Sequence, residues 1–139
     1  MCSSDLILSF RHSRALLPEW GRYIGTITEP NALIIAGDDE LFLQYYGQRK
    51  TLYRPKDAFQ LNPRQFNDFK HGLAVSLSAG IPVYITATGL FSYDPDKEFS
   101  SYIRDNYRLA FRGKKMIEDW HRGELYLERK TDEIFRIEK

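Results

Sequence analysis

Asn31-Ala-Leu-Ile-Ile-Ala-Gly-Asp-Asp-Glu40 is the stretch on which the reading of this chain turns. Its apolar run lacks the polar alternation of a half-exposed strand, and Gly37 stops it abruptly. A continuous run of this kind reads as a strand buried on both faces. Leu41-Phe-Leu-Gln-Tyr-Tyr46 follows at helical spacing, so the order is strand then helix, the signature of an α/β core. Ligands of open α/β sheets sit outside the carboxyl ends of the strands, which makes Asp38, Asp39 and Glu40 the first candidate site residues. Like charges gathered there can hold a cation or raise one carboxyl pKa for acid/base work. The plainer role for Asp38 is to cap the helix, since Asp is a preferred cap and acids favour helix N-termini.

Upstream, Leu16, Leu17, Trp20, Ile24 and Ile27 recur at helical spacing, which predicts a helix from Ala15 to about Thr28 despite Gly21 and Gly25. Downstream, Gly47 is expected to close the second helix as a C′ residue, and Thr51-Leu-Tyr-Arg54 reads as a short strand halted by Pro55. Asn62-Pro63 opens a helix carrying Phe66, Phe69, Leu73, Val75 and Leu77 to Gly80. Gly80-Ile-Pro-Val-Tyr-Ile-Thr-Ala-Thr88 is a second buried strand, with Pro82 tolerated only because it lies near the start. A loop over Gly89 to Pro95, a helix from Pro95 to Asn106 with Phe99, Tyr102 and Ile103 inward, and a strand at Tyr107 to Phe111 come next. At the end, Glu124 to Glu128 and Glu133 to Ile137 read as two strands around a turn at Arg129-Lys-Thr-Asp132. The expected fold is therefore α/β, a three-layer Rossmann-like sheet, mostly parallel, with a C-terminal antiparallel hairpin.

Composition narrows the functions. With 42% hydrophobic and 14% aromatic residues the chain can bury a core, which excludes a disordered segment. Twenty basic against nineteen acidic residues leave a net charge of +1, without the broad basic face that nucleic-acid binding uses. No apolar run approaches the roughly 20 residues of a membrane span. Neither a Gly-x-Gly-x-x-Gly, nor a Gly-Lys-Ser/Thr phosphate loop, nor a Gly-x-Ser-x-Gly elbow occurs, and the histidines His12, His71 and His121 stand in unrelated contexts, so no cofactor and no metal is assigned.

Two further groups complete the candidate site residues. Thr86 and Thr88 flank the end of the second buried strand, where hydroxyls and backbone amides can hold a phosphate or a sugar; β-branched threonines equally suit the strand itself. Asp119, Trp120 and His121 fall in what reads as a short connection, Ile117 to Glu124. There Trp120 can stack on a sugar or base beside hydrogen-bonding neighbours, or plug the edge of the sheet.

Met1-Cys-Ser-Ser-Asp-Leu6 is what a GTG start followed by the end of a common sequencing-adapter oligonucleotide would encode. Residues 1–6 are accordingly read as non-native, and 7–139 as one α/β domain forming the C-terminal part of a longer protein known from environmental reads.

The helix with Leu17-Pro18, the strand Asn31 to Asp39, the aromatic helix Leu41 to Tyr46, and the later Gly80-Ile-Pro-Val-Tyr-Ile85, Tyr107-Arg-Leu109 and Trp120-His121 segments together resemble the soluble C-terminal domain of polytopic membrane glycosyltransferase-like proteins. These are related to the dolichyl-phosphate-mannose and lipid-linked sugar transferases. The resemblance covers most of the chain after Pro18. It implies a membrane-embedded parent that moves a sugar from a lipid-phosphate donor, with its catalytic carboxylates between membrane helices absent from this sequence. The present chain would be an extracytoplasmic accessory domain, partnered by the upstream transmembrane region and by a lipid-linked sugar or its acceptor. Two other readings stand beside it: a free-standing α/β enzyme or binding protein for a phosphate- or sugar-containing ligand, and an interaction module that pairs through its hairpin edge.

Overall fold

A computed structural model describes residues 18–37, 40–52, 63–91, 97–120 and 127–139. Helix α1 spans 18–27. It is followed by β1 (Leu33–Ile35), α2 (Glu40–Tyr45), β2 (Lys50–Thr51), α3 (Pro63–Ser78), β3 (Val83–Thr86), α4 (Ala87–Phe91), α5 (Glu98–Asn106), β4 (Arg108–Trp120) and β5 (Leu127–Glu138). The strands form one sheet in the order β2-β1-β3-β5-β4. β1 pairs in parallel with β2 and β3, whereas β5 runs antiparallel to both β3 and β4. The fold is thus a mixed α/β sheet with a parallel part and an antiparallel C-terminal pair.

The apolar run of β1 lies between two other strands and alternates between two cores. Ile35, Val83 and Ile85 pack with Phe66, Phe69 and Leu73 of α3 and Phe99 and Ile103 of α5. Ala32, Ile34, Ala36 and Tyr84 pack with Trp20 and Ile24 of α1 and Leu43 of α2. Successive side chains of a strand point to opposite faces, so two apolar partners demand an unbroken apolar sequence. Val75, expected on the packed face of α3, is instead 53% exposed.

Glycine spacing explains why a helix with two glycines forms at all. A Cβ on Gly21 would stand 2.5 Å from the Phe42 carbonyl oxygen, and one on Gly25 would stand 2.8 Å from that of Gly47. The backbones of α1 and α2 therefore touch where no side chain fits. Gly47 serves this contact too, with the Gly21 oxygen 2.8 Å from its missing Cβ. It is not the left-handed C′ residue expected; Gln48 takes that conformation, at φ 53°. At the end of α3 a glycine does take that role: Gly80 has φ 77°, and Ile81 N–H donates to the Ser76 carbonyl at 3.1 Å, the long bond of a Schellman motif.

Arg49 locks the same two helices. Its Nε donates to Thr28 Oγ1 at 2.9 Å, Nη2 to the carbonyls of Gly25 (2.6 Å) and Thr28 (3.0 Å), and Nη1 to those of Gly47 and Gln48 (both 3.2 Å). A guanidinium has five N–H donors, so every one is used. The cation also faces the carbonyl ends of α1 and α2, where positive charge is favoured.

The C-terminal hairpin corrects the sequence reading most. β4 continues to Trp120, and β5 is unbroken from Leu127, so Arg129 to Asp132 are strand residues and no turn. Their register sets Glu118 beside Arg129, Lys115 beside Asp132 and Lys114 beside Glu133. A polar run reads as a turn on hydrophilicity alone, but this one contains no Gly, Asn or Pro to supply turn geometry. The connection 121–126, including Glu124, lies outside the described residues.

Candidate functional site

The carboxyl ends of β1 and β3 come together through α4, a short helix where a loop over Gly89 onward was expected. Thr86 ends β3, and its buried Oγ1 accepts a hydrogen bond from Gly89 N–H at 2.9 Å, which is N-cap chemistry. Gly89 allows α4 to lie on β1: a Cβ there would stand 2.5 Å from the Ile35 oxygen. Gly37 abuts Thr88 in the same way, its missing Cβ 2.7 Å from Thr88 Cγ2. The residue preceding Asp38 is thereby held against Thr88.

Asp132 completes this junction and was not a candidate. It reaches in from β5, 1% exposed, and accepts hydrogen bonds from Thr88 N–H (3.2 Å), the Thr88 hydroxyl (3.0 Å) and Glu133 N–H (2.9 Å). A buried carboxylate is tolerated where donors surround it, and the first amides of a helix are suitable donors. The amides of Thr88 and Gly89, offered by the sequence as phosphate donors, are engaged by Asp132 and Thr86. Nothing local in the sequence marks Asp132, because its burial comes from β5 being inserted between β3 and β4.

Glu40 faces a different neighbour. Its Oε1 accepts from the Thr51 hydroxyl at 2.7 Å and from Gln44 Nε2 at 3.4 Å, tying the start of α2 to the end of β2. Asp38, Asp39 and His121 lie outside the described residues. Asp119 and Trp120 belong to β4 and not to a connection, in register with Glu128 and Leu127. Thr86 pairs with Ile134, and β5 extends back from there to Leu127. At about 3.3 Å per residue the hairpin runs on for roughly 20 Å beyond the end of β3. Asp119 and Trp120 are thus on the same end of the sheet as Thr88 but far along the hairpin from Asp132.

A second polar cluster occupies the opposite end of the sheet. Tyr84, 1% exposed, donates its hydroxyl to Glu29 Oε1 at 2.8 Å, and Arg136 Nη1 lies 3.3 Å from the same oxygen. Burial pushes the Tyr84 hydroxyl pKa up, and the Glu29 hydrogen bond and charge add to it, against the opposing charges of Arg136 and Arg112. Glu29 Oε2 is buried without a hydrogen-bond partner among the described residues. Beside this cluster an open cleft of about 320 Å³ is lined by Gly80, Pro82, Arg136 and Lys139 among others.

No family model, no curated protein and no solved structure matches this chain. Its chemistry has to be read from its own geometry.

What that geometry does is hold things in place. Asp132 accepts from Thr88 and Thr86 accepts from Gly89, which together fix α4 over the end of β1; Glu40 and Thr51 fix α2. Among the described residues no helix is long and apolar enough to cross a membrane.

Proposed function

We propose that this chain is an accessory domain of a membrane-embedded glycosyltransferase-like protein, non-catalytic by itself, which covers the parent's catalytic cavity or recognises its substrate. One observation carries the non-catalytic part. The strand-end position where α/β proteins usually place chemistry is occupied by a closed junction, with the Asp132 carboxylate turned onto Thr88 at 3.0 and 3.2 Å. The hairpin overhanging that end supports a covering role, as it supplies a wall beside the strand ends. We read the architecture as three-layer and Rossmann-like, on the support of apolar clusters drawing on α1 and α2 at one face and on α3 and α5 at the other. In this proposal the domain stands on the extracytoplasmic side, its partner being the upstream transmembrane region, with a lipid-linked sugar or acceptor between them.

The reading frame upstream tests the proposal. Several apolar spans of about 20 residues each are expected before residue 7; a native stop and start codon close to Ile7 overturns it. With the parent in hand, deletion of 18–139 should reduce sugar transfer from a polyprenyl-phosphate donor, while the isolated chain should transfer none.

The contact of Gly37 with Thr88 brings the ends of β1 and β3 together and favours a second reading, a binding site for a phosphate- or sugar-containing ligand at the Asp38 and Thr86 strand ends. Under it, inorganic phosphate or a hexose phosphate raises the melting temperature of the isolated chain, and Asp38→Ala with Asp39→Ala abolishes the increase. Melting temperatures that do not move with either probe count against it.

A further inference from the structure

β4 is a terminal strand of the sheet, and one of its edges pairs with no strand among the described residues. The other terminal strand, β2, is only two residues long. β4 is thirteen, contains no proline, and leaves Phe111 54% and Met116 52% exposed. An open strand edge offers a row of unpaired N–H and C=O groups to any chain that can lie along it, and natural edges are usually interrupted to prevent this. β4 carries one such interruption, a bulge between Phe111 and Gly113. From Gly113 to Trp120 its pairing with β5 is unbroken, so this half presents a regular edge.

The charges of that half select the occupant. Lys114 and Lys115 precede Met116 and Ile117, and Glu118 and Asp119 follow. The order of charge is therefore its own complement when the strand is reversed. We propose that the Gly113–Trp120 half of β4 pairs antiparallel with the same half of a second copy of this chain, joining two sheets about a two-fold axis at Met116. Side chains directly opposite in an antiparallel pair share a face, so the register sum must be even. With Met116 opposite Met116 of the second copy, Lys114 stands opposite Glu118 of the second copy, and the reverse pair repeats on the other side of the axis. The two exposed methionines cover each other between two opposite-charge pairs, each of a type that stabilises strand pairing. Centring on Ile117 would use Lys115 instead, but Lys115 already faces Glu19 of its own α1 at 3.9 Å and the ring of Tyr23 at 5.7 Å. A parallel, in-register pair sets Lys114 and Lys115 against themselves. The inference does not rest on the accessory-domain reading, and holds equally for a free-standing chain.

Sedimentation equilibrium of the 139-residue chain tests it, at concentrations up to about 1 mM so that a contact with a millimolar constant is half populated. The wild-type chain should move from one-chain to two-chain mass. Lys114→Glu and Glu118→Lys should each stay at one-chain mass, because each sets like charges against each other at both sides of the axis. Mixed in equal amounts, the two variants should regain the two-chain mass, since one copy is then acidic at both positions and the other basic. Far-UV circular dichroism checks that each is folded; if either is not, Met116→Lys, at a half-exposed position, brings two like charges together on the axis and should hold the chain at one-chain mass. A wild-type chain that stays at one-chain mass throughout overturns the proposal, as does a mixture of folded variants that fails to reassociate. So does a β4 edge whose amides resist hydrogen exchange equally at low and high concentration, which would mean that the chain's own residues cover it.

Discussion

Asp132 holds Thr88 from 44 positions further along the chain, one carboxylate oxygen accepting the backbone N–H at 3.2 Å and the other the hydroxyl at 3.0 Å. The pair staples β5 to the start of α4, and α4 in turn seats against the end of β1 through Gly37 and Gly89. Removing the carboxylate leaves buried donors without a partner. Asp132→Ala is expected to cost about 3 kcal/mol, given that hydrogen bonds to charged groups and unsatisfied buried polar atoms each fall between about 1 and 3 kcal/mol. Thr88→Val should cost less, about 1 kcal/mol, and the double variant should cost less than the sum because the two share one interaction. Urea unfolding of the four chains measures this cycle, and strict additivity would show that the staple is energetically idle.

Arg49 is expected to be the most sensitive cation in the chain. Its loss uncaps the carbonyl ends of two helices at once, and Arg49→Met should destabilise by about 2–4 kcal/mol. Arg49→Lys should recover little, since an ammonium cannot span the five acceptors that the planar fork reaches. Equal stability of the Lys variant and the wild type, by chemical denaturation, would refute this geometry.

Two glycine-to-alanine changes in helices should differ in sign. In α3, a Cβ on Gly72 meets only Leu52 Cδ1 at 3.7 Å, an ordinary contact. Gly72→Ala should therefore stabilise by up to about 1 kcal/mol through helix propensity. In α1, Gly21→Ala forces the Phe42 carbonyl to move, and overpacking of about 1–3 kcal/mol outweighs the same propensity gain. Thermal melts of both variants side by side decide the matter.

Stability should fall at high pH. Burial, with a hydrogen bond and charge from Tyr107, pushes the Tyr102 hydroxyl from 10.0 up to about 12. A group whose pKa is raised in the folded state stabilises the fold fully below its unfolded pKa and loses that contribution as pH rises through the folded one. For Tyr102 the loss falls between pH 10.0 and about 12. Tyr84, also raised, adds to the decline. Urea unfolding near pH 9 and near pH 11.5 should show a smaller drop for Tyr102→Phe than for the wild type; an equal drop would remove Tyr102 as a cause.

Much of the fold is legible where one periodicity rules a segment. The unbroken run at β1, the helix opened by Pro63, and Phe99 and Ile103 of α5 are local patterns, and each element forms where its pattern lies. The hairpin is not legible in this way, because Arg129 to Asp132 is a polar run that becomes strand only by pairing with Lys115 to Glu118 of β4, a partner remote from any local pattern. Thr86 and Thr88 do stand at the strand end that the sequence singles out, but their hydrogen bonds go to Gly89 and Asp132 and not to a ligand.

The sequence by itself determined α1, β1, α2, α3 and β3 among the described residues, and that β1 is apolar on both faces, because these follow from the spacing of neighbouring residues. Only the tertiary structure decided that Gly21, Gly25 and Gly47 are contacts between backbones, that Arg49 joins two helix ends, and that Asp132 is buried on Thr88. Each depends on what a residue meets after the chain has turned back on itself. Sheet order, which sets β5 between β3 and β4, is the step at which a charged residue in a polar run becomes the centre of a junction.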